Sequence, residues 1–92
     1  MDKYKELMQA IVNKQILLIG AAVVSRRGRA AGLDIGDDGK ISGFSGSGEE
    51  AVKKLIEQFK MLSGNAAIDF ARQAAKPIIE KYPELKAIKE IG

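Results

Sequence analysis

The fold is decided by the stretch Ile16-Leu17-Leu18-Ile19-Gly20-Ala21-Ala22-Val23-Val24, which is apolar at every position. The stretch has no helical spacing of polar residues, and it is rich in side chains branched at Cβ. Such a run is typical of a strand that is buried on both faces. We therefore predict a strand over residues 16–24. Because the run is far shorter than the roughly 20 residues of a membrane-spanning helix, we expect it in a core and expect no membrane association.

A first helix is predicted before this stretch, over residues 2–14. Asp2 can cap it, and Tyr4, Leu7, Met8, Ile11 and Val12 form an apolar stripe at helical spacing. An alternative is that this helix continues through Leu18 to Val24 as one long helix. Gly20 and the β-branched residues disfavour that alternative.

Glycine indicates where the chain turns after residue 24. Eight of the ten glycines lie between Gly20 and Gly48, so the middle of the chain is expected to form strands and turns, flanked by helices. We predict a turn at residues 25–28, a second strand over 29–35, a hairpin turn at 36–39 and a third strand over 40–44. Ile41 and Phe44 share a face of that third strand only if Gly43 marks a bulge.

A helical hairpin is predicted for the rest of the chain. A serine caps the first of its helices, Glu49 and Glu50 suit its first turn, and Leu62 ends its buried stripe. Gly64 separates the two helices, with Asn65 as the cap of the second, which is kinked or restarted at Pro77 and ends at Tyr82-Pro83. Residues 84–92 are expected to fray.

The sequence thus predicts one α+β domain over residues 1–92. Its fold class is a small three-stranded antiparallel meander packed against an N-terminal helix and a C-terminal helical hairpin. The apolar strand needs cover on both faces, which helices or a second copy of the chain would provide. We therefore expect self-association as a homodimer.

The absence of cysteine and histidine restricts the chemistry of the chain. It excludes a thiolate nucleophile, a Ser-His-Asp triad and the usual zinc sites. No carboxylate or lysine pair stands out, so we predict no catalytic residues, no metal and no cofactor. The function expected is a non-catalytic interaction module. The absence of disulfides and of a secretory signal favours the cytoplasm.

Arg26, Arg27 and Arg29 are the candidate binding residues. They are the only arginine cluster, and the predicted turn at Gly28 would place all three at a hairpin tip. Such an arginine turn could bind an anion, an acidic protein partner or nucleic acid. A solvated turn explains the same residues without any ligand. With a pI near 9.3, nucleic-acid binding is the alternative function.

Overall fold

The computed structural model describes residues 2–92 and shows four α-helices and one two-stranded antiparallel sheet in that range. In chain order the elements are α1 (Lys3–Ile19), α2 (Ala21–Ala30), β1 (Leu33–Ile35), β2 (Ile41–Phe44), α3 (Gly48–Ser63), α4 (Asn65–Lys81) and a 3₁₀ helix (Pro83–Ala87). The prediction of a three-stranded meander is therefore wrong. The chain is mostly helical, with a hairpin on one side.

Residues 16–24, predicted as a strand, are helical on both sides of a break. Helix α1 continues to Ile19, Gly20 interrupts it with φ 88°, and α2 begins at Ala21. The alternative of a continuing helix is correct as far as Ile19 but misses the break. The burial pattern explains the error, because Ile16 and Ile19 pack against the core while Leu17 is exposed. Because every residue of the run is apolar, the sequence has no alternation of polar and apolar positions that could distinguish a helix from a strand.

The start of α1 is confirmed. The Asp2 carboxylate accepts hydrogen bonds from the backbone N–H groups of Tyr4 (2.8 Å) and Lys5 (3.2 Å). The helix then buries the predicted apolar stripe, whose fully buried members are Leu7, Met8, Ile11 and Val12.

The hairpin turn at residues 36–39 is confirmed, but both strands are shorter than predicted. The Gly36 N–H donates to the Lys40 carbonyl at 2.9 Å, and the Gly39 N–H donates to the Gly36 carbonyl at 2.9 Å. The pairing register shifts between Asp34 and Ile35, which leaves Ser42 as an extra residue in β2. The bulge lies at Ser42 and not at Gly43, the position considered from the sequence, and it lets residues 41 and 44 both reach the core.

Helices α3 and α4 form the predicted helical hairpin. Ser47 caps α3 by accepting the Glu50 N–H at 3.2 Å, and Gly64 alone separates the two helices. Asn65 is not the cap of α4, since Gly64 occupies that position. Helix α4 runs without interruption past Pro77 and ends before Tyr82 as expected.

The last residues do not fray. The 3₁₀ helix and the residues after it pack against α4 and bury three apolar side chains in the common core, Leu85, Ile88 and Ile91. The core thus lies between α1, α3 and α4, with α2 and the hairpin closing one side and the final segment closing the other.

Candidate functional site

The three candidate arginines lie in α2 and not in a turn. Residues two positions apart on a helix differ by about 200° in direction, so Arg27 and Arg29 point to opposite sides. Arg26 is exposed and forms no hydrogen bond or ion pair within residues 2–92. The three guanidinium groups therefore do not lie together at one tip. The prediction of a turn at residues 25–28 is wrong, because these residues are helical.

Two of these arginines hold neighbouring elements. The Arg29 guanidinium donates to the Ile35 carbonyl at 3.2 Å and pairs with the Asp37 carboxylate at 2.6 Å, so it fastens α2 to the hairpin. Arg27 donates to the Gln58 side chain in α3 at 3.4 Å. Both contacts are structural, and whether any of the arginines also binds an anion stays a prediction.

Gly28 lies inside α2, at the point where the hairpin packs closely against the helix. A Cβ added there would stand 3.2 Å from two carbon atoms of the Ile35 side chain and 3.6 Å from Leu33. The glycine was interpreted as a turn residue, but its role is to let a strand pack on a helix. Because Gly28 is a helix residue, the arginines beside it also belong to α2.

Glu6 is held between two residues from the end of α4. Its carboxylate oxygens accept hydrogen bonds from Lys81 Nζ and from the Tyr82 hydroxyl, both at 2.9 Å. The hydrogen bond from Lys81, followed by that from Tyr82, lowers the pKa of Glu6, and the same ion pair raises the pKa of Lys81. Because both oxygens are occupied, Glu6 links α1 to α4 and offers no free base for catalysis.

Metal coordination finds no support within residues 2–92, where no three acidic side chains lie close enough to hold an ion. In the same range, no helix has the length and apolar content needed to cross a membrane.

Four large apolar side chains are exposed, and each lies in the last turn of a helix. Leu17 is 83% exposed and Leu18 47% at the end of α1, while Met61 is 70% exposed and Leu62 41% at the end of α3. In both helices the apolar pair is followed by one residue and then by a glycine with positive φ. Exposed apolar side chains that lie together mark interaction surfaces, whereas single ones scattered over a surface do not.

These two helix ends lie at the same end of the molecule. Lys81 pairs with Glu6, which places the last turn of α4 beside the first turn of α1, so the two helices are antiparallel. Helix α3 is antiparallel to α4 across Gly64, and its first residue, Gly48, lies against Tyr4. Helices α1 and α3 therefore start together and finish together. We call Leu17, Leu18, Met61 and Leu62 the apolar end.

The apolar end was not predicted from the sequence. Residues 17 and 18 were predicted in a buried strand, and Leu62 in the buried stripe of α3. Met61 carried a usable signal, because it falls outside that stripe. Leu17 would have carried the same signal if α1 had been extended by one turn.

A groove of about 380 Å³ lies between α1 and the hairpin. Its walls come from one face of α1 and from the start of β2, and its lining residues are Lys5, Glu6, Gln9, Ala10, Asn13, Lys40 and Ile41. We call it the α1–hairpin groove. Most of its surface is apolar carbon, to which the lysine stems can contribute.

Comparison of the chain with protein-family models, with curated proteins and with solved structures gave no significant match. Two surfaces of the molecule can therefore indicate a function, the apolar end and the α1–hairpin groove.

Proposed function

We propose that this chain is a non-catalytic interaction module that forms a homodimer through its apolar end. The observation that supports the proposal is the exposure of Leu17, Leu18, Met61 and Leu62 at one end of the molecule. From the sequence, a dimer was expected because an apolar strand would have to bury both of its faces. That reason no longer applies, because residues 16–24 are helical on both sides of Gly20. The exposed side chains provide a different reason for the same association.

A second copy suits this surface because the exposed residues form two similar pairs. In a twofold dimer, residue i of one copy contacts residue j of the other, and residue j contacts residue i. The pair at the end of α1 can thus cover the pair at the end of α3 in the partner, and the reverse contact follows by symmetry. A chain of 92 residues also has a small core, so burial of further apolar surface adds usefully to its stability.

The dimer is expected to be weak. Burying one large apolar side chain contributes on the order of 1.5–3 kcal/mol, and the side chains of the apolar end are already part-covered. Association itself costs about 4–15 kcal/mol in lost freedom of motion. The balance favours a dissociation constant in the micromolar range. Because the contact is apolar, added salt should not weaken it.

Sedimentation equilibrium from low to high micromolar concentration tests the proposal. The chain should change from monomer to dimer over this range, whereas a double variant with Leu17→Gln and Met61→Gln should stay monomeric. Glutamine preserves helix propensity and side-chain length, and both positions are exposed, so the variant should fold. Lys53→Gln with Lys54→Gln is the matched control, since it changes two exposed positions of α3 far from the apolar end.

Two results would contradict the proposal. A chain that remains monomeric at high micromolar concentration does not form the dimer. A double variant that dimerises as well as the control forms its dimer through another surface.

The other expectations from the sequence stay predictions. Nucleic-acid binding was expected from the arginine turn and the pI near 9.3, and an acidic protein partner from the arginine turn. Arg27 and Arg29 lie on opposite sides of α2, so the three-arginine tip no longer supports either. A cytoplasmic location also stays a prediction.

A further inference from the structure

The polar groups of the α1–hairpin groove divide into satisfied acceptors and free donors. The Gln9 side-chain oxygen accepts the Ile41 N–H at 2.9 Å, and its nitrogen donates to the Gly39 carbonyl at 2.9 Å and to Asn13 Oδ1 at 3.0 Å. This amide is therefore fully engaged in holding the hairpin against α1. The side chain of Glu6, also in the groove, has both carboxylate oxygens bonded to Lys81 and Tyr82.

The groups that remain free in the groove are donors. Lys5 and Lys40 form no ion pair within residues 2–92, and the Asn13 side-chain nitrogen has no acceptor there. The charge of Glu6 is balanced by Lys81, and the Asp38 carboxylate accepts the Lys40 backbone N–H at 2.9 Å. The groove therefore offers two lysine ammonium groups that have no ion-pair partner within residues 2–92, beside a wall of mostly apolar carbon. A ligand that matches this surface needs an aliphatic body and an anionic acceptor group.

We propose that the α1–hairpin groove binds an unbranched aliphatic carboxylate, a free fatty-acid-like molecule of medium length. Its carbon chain would lie against Ala10 and the lysine stems, and its carboxylate would accept hydrogen bonds from Lys5 and Lys40. The volume of about 380 Å³ is at the lower end of the range for small-molecule sites, which suits a slim ligand. This site shares no residue with the apolar end, so it does not depend on the proposed dimer.

Octanoate is the probe for an NMR titration of the ¹⁵N-labelled chain, and octanol is the neutral probe with the same carbon chain. Octanoate should cause saturable shifts at the amides of Ala10, Asn13 and Ile41. Octanol should bind clearly more weakly. Lys5→Gln with Lys40→Gln should weaken octanoate binding by roughly five- to ten-fold, as expected for the loss of two exposed charge contacts.

The control for this titration is Lys53→Gln with Lys54→Gln, which removes the same number of charges from α3. It should bind octanoate as tightly as the unchanged chain. The proposal is overturned if octanoate causes no saturable shifts at the groove, if octanol binds equally well, or if the groove variant keeps full affinity. Saturable shifts confined to Leu17 and Met61 would also overturn it, because they would place the aliphatic ligand on the apolar end.

Discussion

At the residue scale, the two glutamines of α1 show how one side-chain type can have opposite effects on stability. Gln15 is only 1% exposed, and neither polar atom of its amide has a hydrogen-bond partner within residues 2–92. Gln9 lies less than two turns earlier in α1. Its amide nitrogen donates to the Gly39 carbonyl of the hairpin, and its amide oxygen accepts the Ile41 N–H. An unsatisfied buried amide destabilises a fold, whereas a satisfied one holds it together.

We predict that Gln15→Met raises the free energy of unfolding by about 1–2 kcal/mol. Methionine keeps the length and helix propensity of glutamine and removes the unpaired polar atoms. Urea denaturation measures the change. Gln9→Met is the matched control and should lower the free energy of unfolding by a similar amount, because it leaves the Ile41 N–H without its partner. If both substitutions destabilise alike, the Gln15 amide is satisfied in solution.

At the element scale, the single-residue corners at Gly20 and Gly64 decide where the helices end. Gly20 has φ 88° and ψ 155°, a region that residues with a side chain rarely adopt, and Gly64 has φ 60°. Each glycine N–H still donates to the carbonyl four residues earlier, so each corner closes one helix and starts the next. These corners fix where α1 and α3 end, directly after the exposed apolar pairs of their last turns.

We predict that Gly20→Ala lowers the free energy of unfolding by about 1–3 kcal/mol through backbone strain alone. Nothing stands within 4 Å of the added Cβ, so no steric clash contributes. Thermal unfolding followed by circular dichroism measures the effect. Gly43→Ala is the control, since its φ is not in the left-handed region and its Cβ would meet Asp34 at an ordinary 3.4 Å. Equal losses in both variants would argue against a strained corner at Gly20.

At the scale of the whole molecule, the final segment completes the core. Leu85, Ile88 and Ile91 are at most 3% exposed and belong to the same cluster as the buried residues of α1 and α3. A small domain depends strongly on each buried side chain, because the margin between burial and chain entropy is narrow. The segment is therefore a structural part of the fold.

We predict that Ile88→Ala lowers the free energy of unfolding by about 2–4 kcal/mol, because it removes buried methyl groups and leaves a cavity. The neighbouring exposed residue provides the control, since Lys89→Ala should change stability by less than about 0.5 kcal/mol. Urea denaturation of both variants makes the comparison. A loss for Ile88→Ala as small as that of its control would show that the segment is not packed in solution.

The elements that could be predicted from the sequence are those with a local signal. The Asp2 and Ser47 caps, the glycine turn at residues 36–39 and the Gly64 break each depend on a few adjacent residues. The α3 stripe was also readable, because its apolar residues recur at helical spacing. For the candidate sites the local signal failed. Three arginines within four residues suggested one binding tip, but their directions depend on the helix that carries them.

The sequence by itself thus determined the starts of α1 and α3, the hairpin turn and the helical hairpin, because caps, turns and periodic stripes act over a few residues. Only the tertiary structure decided the conformation of residues 16–24, the role of Gly28 and the burial of Ile88. The physical reason is that an unbroken apolar run is compatible with strand and helix alike. The choice between them is made by what packs against each face, here the core on Ile16 and Ile19 and solvent on Leu17.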